Sequence, residues 1–407
     1  MTDTSRSPSA TTVNRRSFLE GSVALAAATA IPGGAFAAGS DRIRVGLVGC
    51  GGRGVGAALQ AIAADAGVVI AALGDRFADQ LDAAAATLAA AGCGRFASGL
   101  FHGERAAEFV IGSEIDAVIL ATPPCFRPAE IAAAVRAGRH VYAEAPVGID
   151  AVGVRFAAAA VEEGQRRGLS LASGLPSRHH APTRSTVAAV ASGSIGRPLR
   201  AVAIHHLGLP WVRPRQLGWS AEEAASRNWI GDERLSGGAF LEHLVQAVDR
   251  CSWALGEPTP LMATAIPAAV ALPRPLHRGI EAAARISFAG GTTLEVGIIR
   301  REGIEDRVEE AVLGSRGDAD LRRCMIGGEA FAGAPGDAGG HATCMASFIE
   351  SLKGGLHRED LAAACRSTML AVMARSAAAS GAPVAWHDLW RPSSAPLPSR
   401  PLQSIMV

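Results

Sequence analysis

The stretch IRVGLVGCGGRG, residues 43–54, decides the fold. A mostly apolar run over 43–48 predicts a strand, and G-x-G-x-x-G follows it before a predicted helix over 55–64. The first glycine permits a tight turn, the second lets the backbone approach a pyrophosphate, and the third permits close packing of the helix on the strand. The spacing predicts a dinucleotide site whose residues are Gly49, Cys50, Gly51, Gly52, Arg53 and Gly54.

A second predicted strand, over 68–73, ends in Gly74-Asp75-Arg76. Asp75 stands at about the spacing expected for the acid that binds a ribose 2′-hydroxyl. A carboxylate there would repel a 2′-phosphate, which favours NAD. Arg76 could stack on adenine or pair with that phosphate, so NADP stays open and both residues are predicted to contact the cofactor.

The alternation of strands and helices continues along the chain. Strands are predicted over 115–121, 140–143 and 169–173, and helices near 128–137 and 151–166. This order is typical of an α/β fold, a doubly wound parallel sheet of the Rossmann type. Ligands bind beyond the carboxyl ends of such strands, which adds four predicted cofactor residues: Thr122, Pro123, Glu144 and Ala145.

Composition narrows the function classes. Apolar residues make up 49% of the chain and charged residues 19%, with a net charge of +1, so the protein is globular and nucleic acid is not an expected partner. The seven cysteines show no CxxC or zinc spacing, and no metal site is predicted. Lys353 is the one lysine, which leaves almost none for acid–base chemistry.

The first forty residues have the pattern of an export signal. Arg15-Arg16 precede Ser17-Phe18-Leu19, an apolar run covers 22–31, and Ala35-Phe36-Ala37 offers a cleavage site. The run is shorter than the roughly 20 apolar residues that span a bilayer. The pattern predicts export by the twin-arginine machinery, to the periplasm or beyond; an ordinary secretory signal and a disordered leader are the alternatives.

Further motifs resemble those of the Gfo/Idh/MocA oxidoreductases, named for glucose–fructose oxidoreductase and inositol dehydrogenase. They include GLVGCGGRG (46–54), AGRHVYAEAPVGID (137–150) and LSGGAFLEHLVQAVD (235–249). The resemblance implies a Rossmann domain over 41–175 and an α+β domain over 176–390, with a proline-rich arm over 391–407. The second domain is expected to hold an open, largely antiparallel sheet that faces a carbohydrate-like substrate and serves as a homo-oligomer interface.

Three departures from the family pattern fall on its expected site. One is Cys125-Phe126-Arg127, where relatives often carry histidine. The other two affect its proton-transfer groups. Members usually carry Glu-Lys-Pro where this chain has Glu144-Ala145-Pro146, and the lysine supports proton transfer. A helix predicted over 237–255 places Glu242, Gln246 and Asp249 on one face. The histidine that acts as acid/base in relatives corresponds to Gln246, whose amide cannot take a proton at neutral pH.

Five residues are therefore candidates for the catalytic work: Gln246, Glu242, Asp249, His243 and His180. His243 and His180 are possible replacements for the missing base; the alternatives are a half-exposed helix position for His243 and a surface position for His180. Arg178 follows a predicted strand end, where relatives place residues near the nicotinamide. The tryptophans of a loop-like stretch over 208–229 either stack on a sugar or hold a long loop in place.

An exported dinucleotide enzyme cannot rely on free cofactor, so the resemblance and the leader together predict tightly bound NAD or NADP. Three functions are compatible with this expectation. The first is hydride transfer on a sugar or cyclitol, the second is a redox-neutral NAD-dependent glycosidase or lyase, and the third is a catalytically inactive protein that binds a carbohydrate or a partner.

Overall fold

The structure is a computed structural model that describes residues 42–93, 96–209, 211–267, 282–300, 306–330, 340–354 and 360–390. The predicted export signal and the predicted C-terminal arm lie outside the described residues. Within these ranges, no helix combines the length and the apolar character needed to cross a membrane.

The N-terminal domain is a six-stranded parallel sheet with the order β3-β2-β1-β4-β5-β6. This order reverses direction between β1 and β4, which is where such sheets bind dinucleotides. The strands are β1 Ile43–Val48, β2 Val68–Asp75, β3 Gly99–His102, β4 Ala117–Leu120, β5 His140–Ala143 and β6 Leu171–Ser173.

Helices cover both faces of this sheet. Val45 and Leu47 of β1 belong to one apolar core and Val48 to the other, because successive side chains of a strand point to opposite faces. The predicted doubly wound fold is confirmed. The helices are α1 Gly52–Ala64, α2 Ala78–Ala90, α3 Ala106–Gly112, α4 Arg127–Arg136 and α5 Ala151–Arg166.

The C-terminal domain holds a nine-stranded mixed sheet with the order β14-β13-β12-β11-β7-β10-β9-β8-β15. Among its described pairs only β7 and β10 run parallel, so the predicted largely antiparallel sheet is confirmed. The strands are β7 Pro198–Leu207, β8 Pro260–Ala265, β9 Ala282–Phe288, β10 Thr293–Arg300, β11 Arg307–Gly314, β12 Asp318–Asp320, β13 Met325–Ile326, β14 Glu329–Ala330 and β15 Val384–Ala385.

Two long helices of this domain, α9 (Gly238–Ala254) and α11 (Asp360–Ser380), pack on each other and on one face of the sheet. The apolar stripe of α9, formed by Leu241, Leu244, Val245 and Val248, is buried. Helix α10 (Gly340–Leu352) packs on α1 of the N-terminal domain. The helices are α6 Ala181–Ala191, α7 Ala221–Arg227, α8 Glu233–Ser236, α9 Gly238–Ala254, α10 Gly340–Leu352, α11 Asp360–Ser380 and α12 Trp386–Leu389.

The expectation of a loop over 208–229 is only partly right. The structure forms α7 there, and the Ser220 hydroxyl caps it by accepting a hydrogen bond of 3.0 Å from the Glu223 amide. A 3₁₀ turn, Trp229–Gly231, follows. The composition around Trp211, Trp219 and Trp229 favours a loop, whereas the capping pattern Ser220-x-x-Glu223 indicates a helix.

Candidate active site

The glycine loop has the geometry that a pyrophosphate needs. Gly49 adopts a positive φ of 90°, and its amide donates to the Gly74 carbonyl over 2.8 Å. α1 begins at Gly52, and extended Gly51 precedes it without a side-chain cap. A Cβ on Gly51 or Gly52 would meet no described atom within 4 Å. The first amides of α1 therefore border open space, and this helix end suits the pyrophosphate of NAD.

We expect Gly54→Ala to reduce NAD affinity at least tenfold. A Cβ on Gly54 would lie 1.9 Å from the Gly49 carbonyl oxygen, so helix and loop must separate. Gly56→Ala is the matched control in the same helix, because its Cβ would meet no described atom within 4 Å. Calorimetric titration with NAD measures both, and equal affinities in the two variants would contradict the assigned role of Gly54.

Asp75 ends β2 and lies beside this loop. Its carboxylate accepts hydrogen bonds from the Cys50 amide over 2.7 Å and the Phe77 amide over 2.8 Å. Burial raises the pKa of this carboxyl. Each oxygen keeps a further lone pair for a ribose hydroxyl, so Asp75 fits the predicted role. Arg76 next to it already pairs with Glu104 over 2.9 Å and Glu222 over 2.8 Å.

Glu144 occupies the end of β5 and is only 4% exposed. Arg53 of the glycine loop donates to its Oε1 over 2.7 Å. Its Oε2 lies against the backbone of Gly174 after β6, where a Cβ would be 2.2 Å away. The glycine loop and the ends of β5 and β6 thus meet at one carboxylate, although Ala145 beside it has no group for proton transfer.

Lys353, the one lysine of the chain, lies away from this edge. Lys353 forms an ion pair with Asp65, which follows the last residue of α1. That end of α1 points away from the carboxyl edge where the glycine loop and Glu144 lie. The structure therefore gives Lys353 a surface contact.

Glu242 and Gln246 of α9 face this carboxyl edge. The Gln246 amide donates to the Gly174 carbonyl over 3.3 Å. Glu242 is half-buried, its Oε2 is shielded from solvent, and that oxygen has no hydrogen-bond partner among the described residues. Burial raises the pKa of Glu242 to about 7, the Arg127 guanidinium lowers it, and Glu144 raises it further. A carboxyl group with this pKa suits proton transfer at neutral pH.

Two charged residues at this edge were not identified as site residues from the sequence. Arg127 opens α4, is 4% exposed, and donates to the Pro146 carbonyl over 2.6 Å. Glu130, one turn later, accepts from the Thr122 hydroxyl over 2.5 Å, and burial raises the pKa of Glu130 to about 7. The Arg127 charge partly balances three carboxyl groups, those of Glu130, Glu144 and Glu242. They are far apart in sequence, so only the tertiary structure shows that they lie near Arg127.

Asp249 and Arg178, predicted as catalytic and cofactor residues, contact each other instead. Asp249 is 1% exposed and accepts from Arg178 Nε over 3.0 Å and Nη2 over 2.9 Å. It also accepts from the Ser367 hydroxyl over 2.7 Å. Arg178 pairs further with Glu257 and lies over the ring of Trp253. These contacts support a structural role, since they join the segment after β6 to α9 and α11.

The two candidate histidines differ in surroundings. His243 lies one residue past Glu242 but turns toward the sheet, near His205 and Arg300. Burial lowers the pKa of His243 to about 4, Arg300 reinforces this, and its Nε2 has no partner in the described part of the chain. His180 precedes α6 and its Nδ1 lies 2.8 Å from the Thr183 hydroxyl. Among the described residues, neither histidine forms a hydrogen bond with Glu144, Glu242 or Gln246.

A third histidine, His341, was not found by sequence reasoning. It lies in the first turn of α10, and Cys344 one turn later places its Sγ 3.3 Å from the Ser173 carbonyl at the end of β6. Burial lowers the pKa of His341 to about 4, with Arg53 reinforcing the effect and Glu144 opposing it. Its Nδ1 is buried without a partner among the described atoms. An uncharged imidazole thus borders the Arg53–Glu144 pair.

Comparison with known proteins agrees with this geometry. Residues 43–172 match the GFO_IDH_MocA family model, described as an oxidoreductase family with an NAD-binding Rossmann fold. A curated relative, 1,5-anhydro-D-fructose reductase of Ensifer adhaerens, is 29% identical over 150 residues, which are 37% of this chain and 40% of that protein. The chain therefore matches less than half the length of that relative.

Solved structures extend the likeness to the second domain. Scyllo-inositol dehydrogenase of Lactobacillus casei with bound NAD(H) and scyllo-inositol superposes with a TM-score of 0.60 at 20% identity, over 84% of this chain and 99% of that one. An oxidoreductase domain protein of Kribbella flavida reaches 0.63 at 16% identity, over 85% and 99%. At these identities the comparison establishes the two-domain fold.

Proposed function

From the match of residues 43–172 to the Gfo/Idh/MocA family of NAD-binding oxidoreductases, we propose that this protein is an NAD-dependent dehydrogenase of a polyhydroxylated substrate, a sugar or cyclitol, with Glu242 as its acid/base. The observation that carries the proposal is Glu242 itself, a shielded carboxyl group with a pKa of about 7 at the edge where the dinucleotide fits.

The residues of the chain divide the work as follows. The N-terminus of α1 and Asp75 hold the dinucleotide, which when bound accepts or donates a hydride at its nicotinamide. In oxidation, Glu242 accepts the proton of the substrate hydroxyl whose carbon gives up the hydride. In reduction, Glu242 returns that proton. Gln246 donates a hydrogen bond to a carbonyl in the present structure, and its amide oxygen can orient a substrate hydroxyl.

The polyhydroxylated substrate class is supported by buried polar atoms near Glu144 and Glu242. Arg127 Nε, Glu242 Oε2 and His341 Nδ1 are buried and lack partners within the described residues. Buried polar atoms of this kind favour a ligand rich in hydroxyl groups, since each unpaired group otherwise costs about 1–3 kcal/mol. The names of two similar proteins, a dehydrogenase of scyllo-inositol and a reductase of 1,5-anhydro-D-fructose, point the same way.

The experiment follows the cofactor spectroscopically. The full chain is purified with its leader, any bound dinucleotide is identified by mass spectrometry, and the protein is incubated with a panel of sugars and cyclitols while absorbance at 340 nm is recorded. Absorbance that rises with one polyol class supports the proposal. If no polyol reduces the bound NAD but a glycosidic group is released from one of the sugars, the redox-neutral function would be favoured. A protein that binds sugars but no dinucleotide would favour the inactive one.

We expect NAD to bind at least 100-fold more tightly than NADP. Arg76, the cation next to Asp75, is already paired with Glu104 and Glu222, so a 2′-phosphate would meet carboxylates. Replacing both glutamates by glutamine should free Arg76 and raise NADP affinity about tenfold. Glu163→Gln is the control, because Glu163 pairs with Arg166 inside α5 instead. Equal affinities for the two cofactors in the unaltered protein would contradict this prediction.

Export through the leader at residues 15–37 and self-association through the C-terminal sheet are retained as parts of the proposal. Both rest on the sequence pattern and on the family resemblance. Export also requires a tightly bound cofactor, because an exported dehydrogenase must keep its dinucleotide through repeated turnovers.

A further inference from the structure

Helix α7 belongs to the chain segment after β7 of the C-terminal domain but lies on the N-terminal domain. Arg227, its last residue, forms a two-point ion pair with Asp79 in the first turn of α2. Nη1 donates to Oδ2 and Nη2 to Oδ1, each over 2.9 Å. Such fork-like pairs fix geometry as well as charge. The two domains are therefore joined at this point by a directional contact.

Aromatic rings enclose the same guanidinium. Arg227 lies 4.0 Å from the ring centroid of Phe77 and 4.5 Å from that of Trp219. Its side chain is only 8% exposed, and Glu223 accepts a further hydrogen bond over 2.9 Å. Cation–π contacts gain strength when the cation is removed from water. This cluster of five side chains, Arg227, Asp79, Phe77, Trp219 and Glu223, is named the clamp.

The clamp lies at the adenosine end of the dinucleotide site. Phe77 is two residues beyond Asp75, and its amide donates to the Asp75 carboxylate over 2.8 Å. Arg76 between them donates to the Ser226 hydroxyl of α7 over 3.2 Å. A cavity of about 400 Å³ opens here, and its walls include Arg76, Phe77 and Gly103 on one side and Ser220, Glu222 and Arg227 on the other. One side of the cavity is the nucleotide loop, and the other is α7.

We propose that the clamp closes the adenosine end of the site and retains NAD between turnovers. This inference rests on the proposed function and adds the structural cause of retention. The loop Asp75–Phe77 that would hold the ribose is the same loop to which α7 is fastened, so the adenosine leaves only after α7 separates from it. Separation breaks the Arg227–Asp79 pair and the Arg227–Phe77 contact together, which makes cofactor release slow.

The test is the rate of NAD release from the full chain. The protein is loaded with NAD, a large excess of a fluorescent NAD analogue is added, and the exchange is followed over time. We expect Arg227→Ala to accelerate release at least tenfold and Arg227→Lys to have an intermediate effect, because lysine keeps the charge but loses the fork and the stacking. Asp79→Asn should also accelerate release, by removing only the ion pair.

Arg105→Ala is the matched control. Arg105 pairs with Glu108 over 2.8 Å and lies 5.1 Å from the ring of Phe109, so it has the same kinds of contact but makes them within a single domain. Its release rate should equal that of the unaltered protein. Unchanged release from both Arg227→Ala and Asp79→Asn would overturn the clamp alone.

Two further outcomes are decisive. The double variant Arg227→Asp with Asp79→Arg should restore slow release in part. If this variant folds normally by circular dichroism and still releases NAD fast, the Arg227–Asp79 pair is not what retains the cofactor. An unaltered protein that takes up no NAD at all would overturn the proposed function, and the clamp with it. The two hypotheses therefore fail by different measurements.

Discussion

Glu242→Gln is expected to lower kcat by about 10²–10⁴-fold while NAD still binds, since a glutamine cannot accept the substrate proton. The size of the effect also follows from the neighbouring side chains of Ala145 and Gln246, neither of which can accept a proton at neutral pH. Steady-state rates at 340 nm measure kcat, and calorimetry checks the cofactor affinity of the variant.

The pH dependence provides a second, independent readout of Glu242. Oxidation requires its carboxylate, so the oxidation rate should rise as the pH passes through about 7. Reduction requires the protonated acid, so the reduction rate should fall over the same interval. Both limbs should vanish in Glu242→Gln, and what remains of the rate should not respond to pH near 7.

Glu295→Gln is the control for this substitution. Glu295 is a buried glutamate, 4% exposed, that pairs with Arg200 and Arg285 on the C-terminal sheet. It is remote from the glycine loop and should leave the two pH limbs in place. A Glu242→Gln variant with full activity would assign the proton transfer to another group, and His341, with its unpaired Nδ1, would be examined next.

Asp249→Asn is expected to lower the free energy of unfolding by about 3–5 kcal/mol, because it removes the buried one of the two carboxylates that pair with partly buried Arg178. Asp249 accepts hydrogen bonds from Arg178 and Ser367 that link the segment after β6, α9 and α11. The expected defect is therefore one of stability. Urea unfolding followed by tryptophan fluorescence measures it.

Two neighbouring substitutions calibrate that result. Ser367→Ala removes one hydrogen bond to Asp249 and should cost about 1 kcal/mol. Glu257→Gln removes a partly exposed partner of Arg178 and should cost less than about 1 kcal/mol. If Asp249→Asn instead retained full stability and lost kcat, the sequence-based interpretation of Asp249 as a catalytic residue would be restored.

Much of the N-terminal domain was predictable from the sequence. The strands β1 and β5 and the helix α5 begin and end where they were predicted, because apolar periodicity and turn residues act over a few neighbouring positions. The helix that follows the glycine loop begins at Gly52 rather than Val55, since a helix N-terminus is set by the loop's hydrogen bonds as much as by side-chain pattern.

The sequence by itself determined the glycine loop, the acid at the end of β2, and the presence of Ala145 and Gln246, which cannot transfer a proton at neutral pH, at two expected site positions. These are properties of residue type and short spacing. Tertiary structure alone decided which ionisable groups lie at this edge and which lie elsewhere. Arg178 meets Asp249 across 71 residues and Arg227 meets Asp79 across 148, and burial, which raises the pKa of Glu242 to about 7, exists only once the two domains are packed.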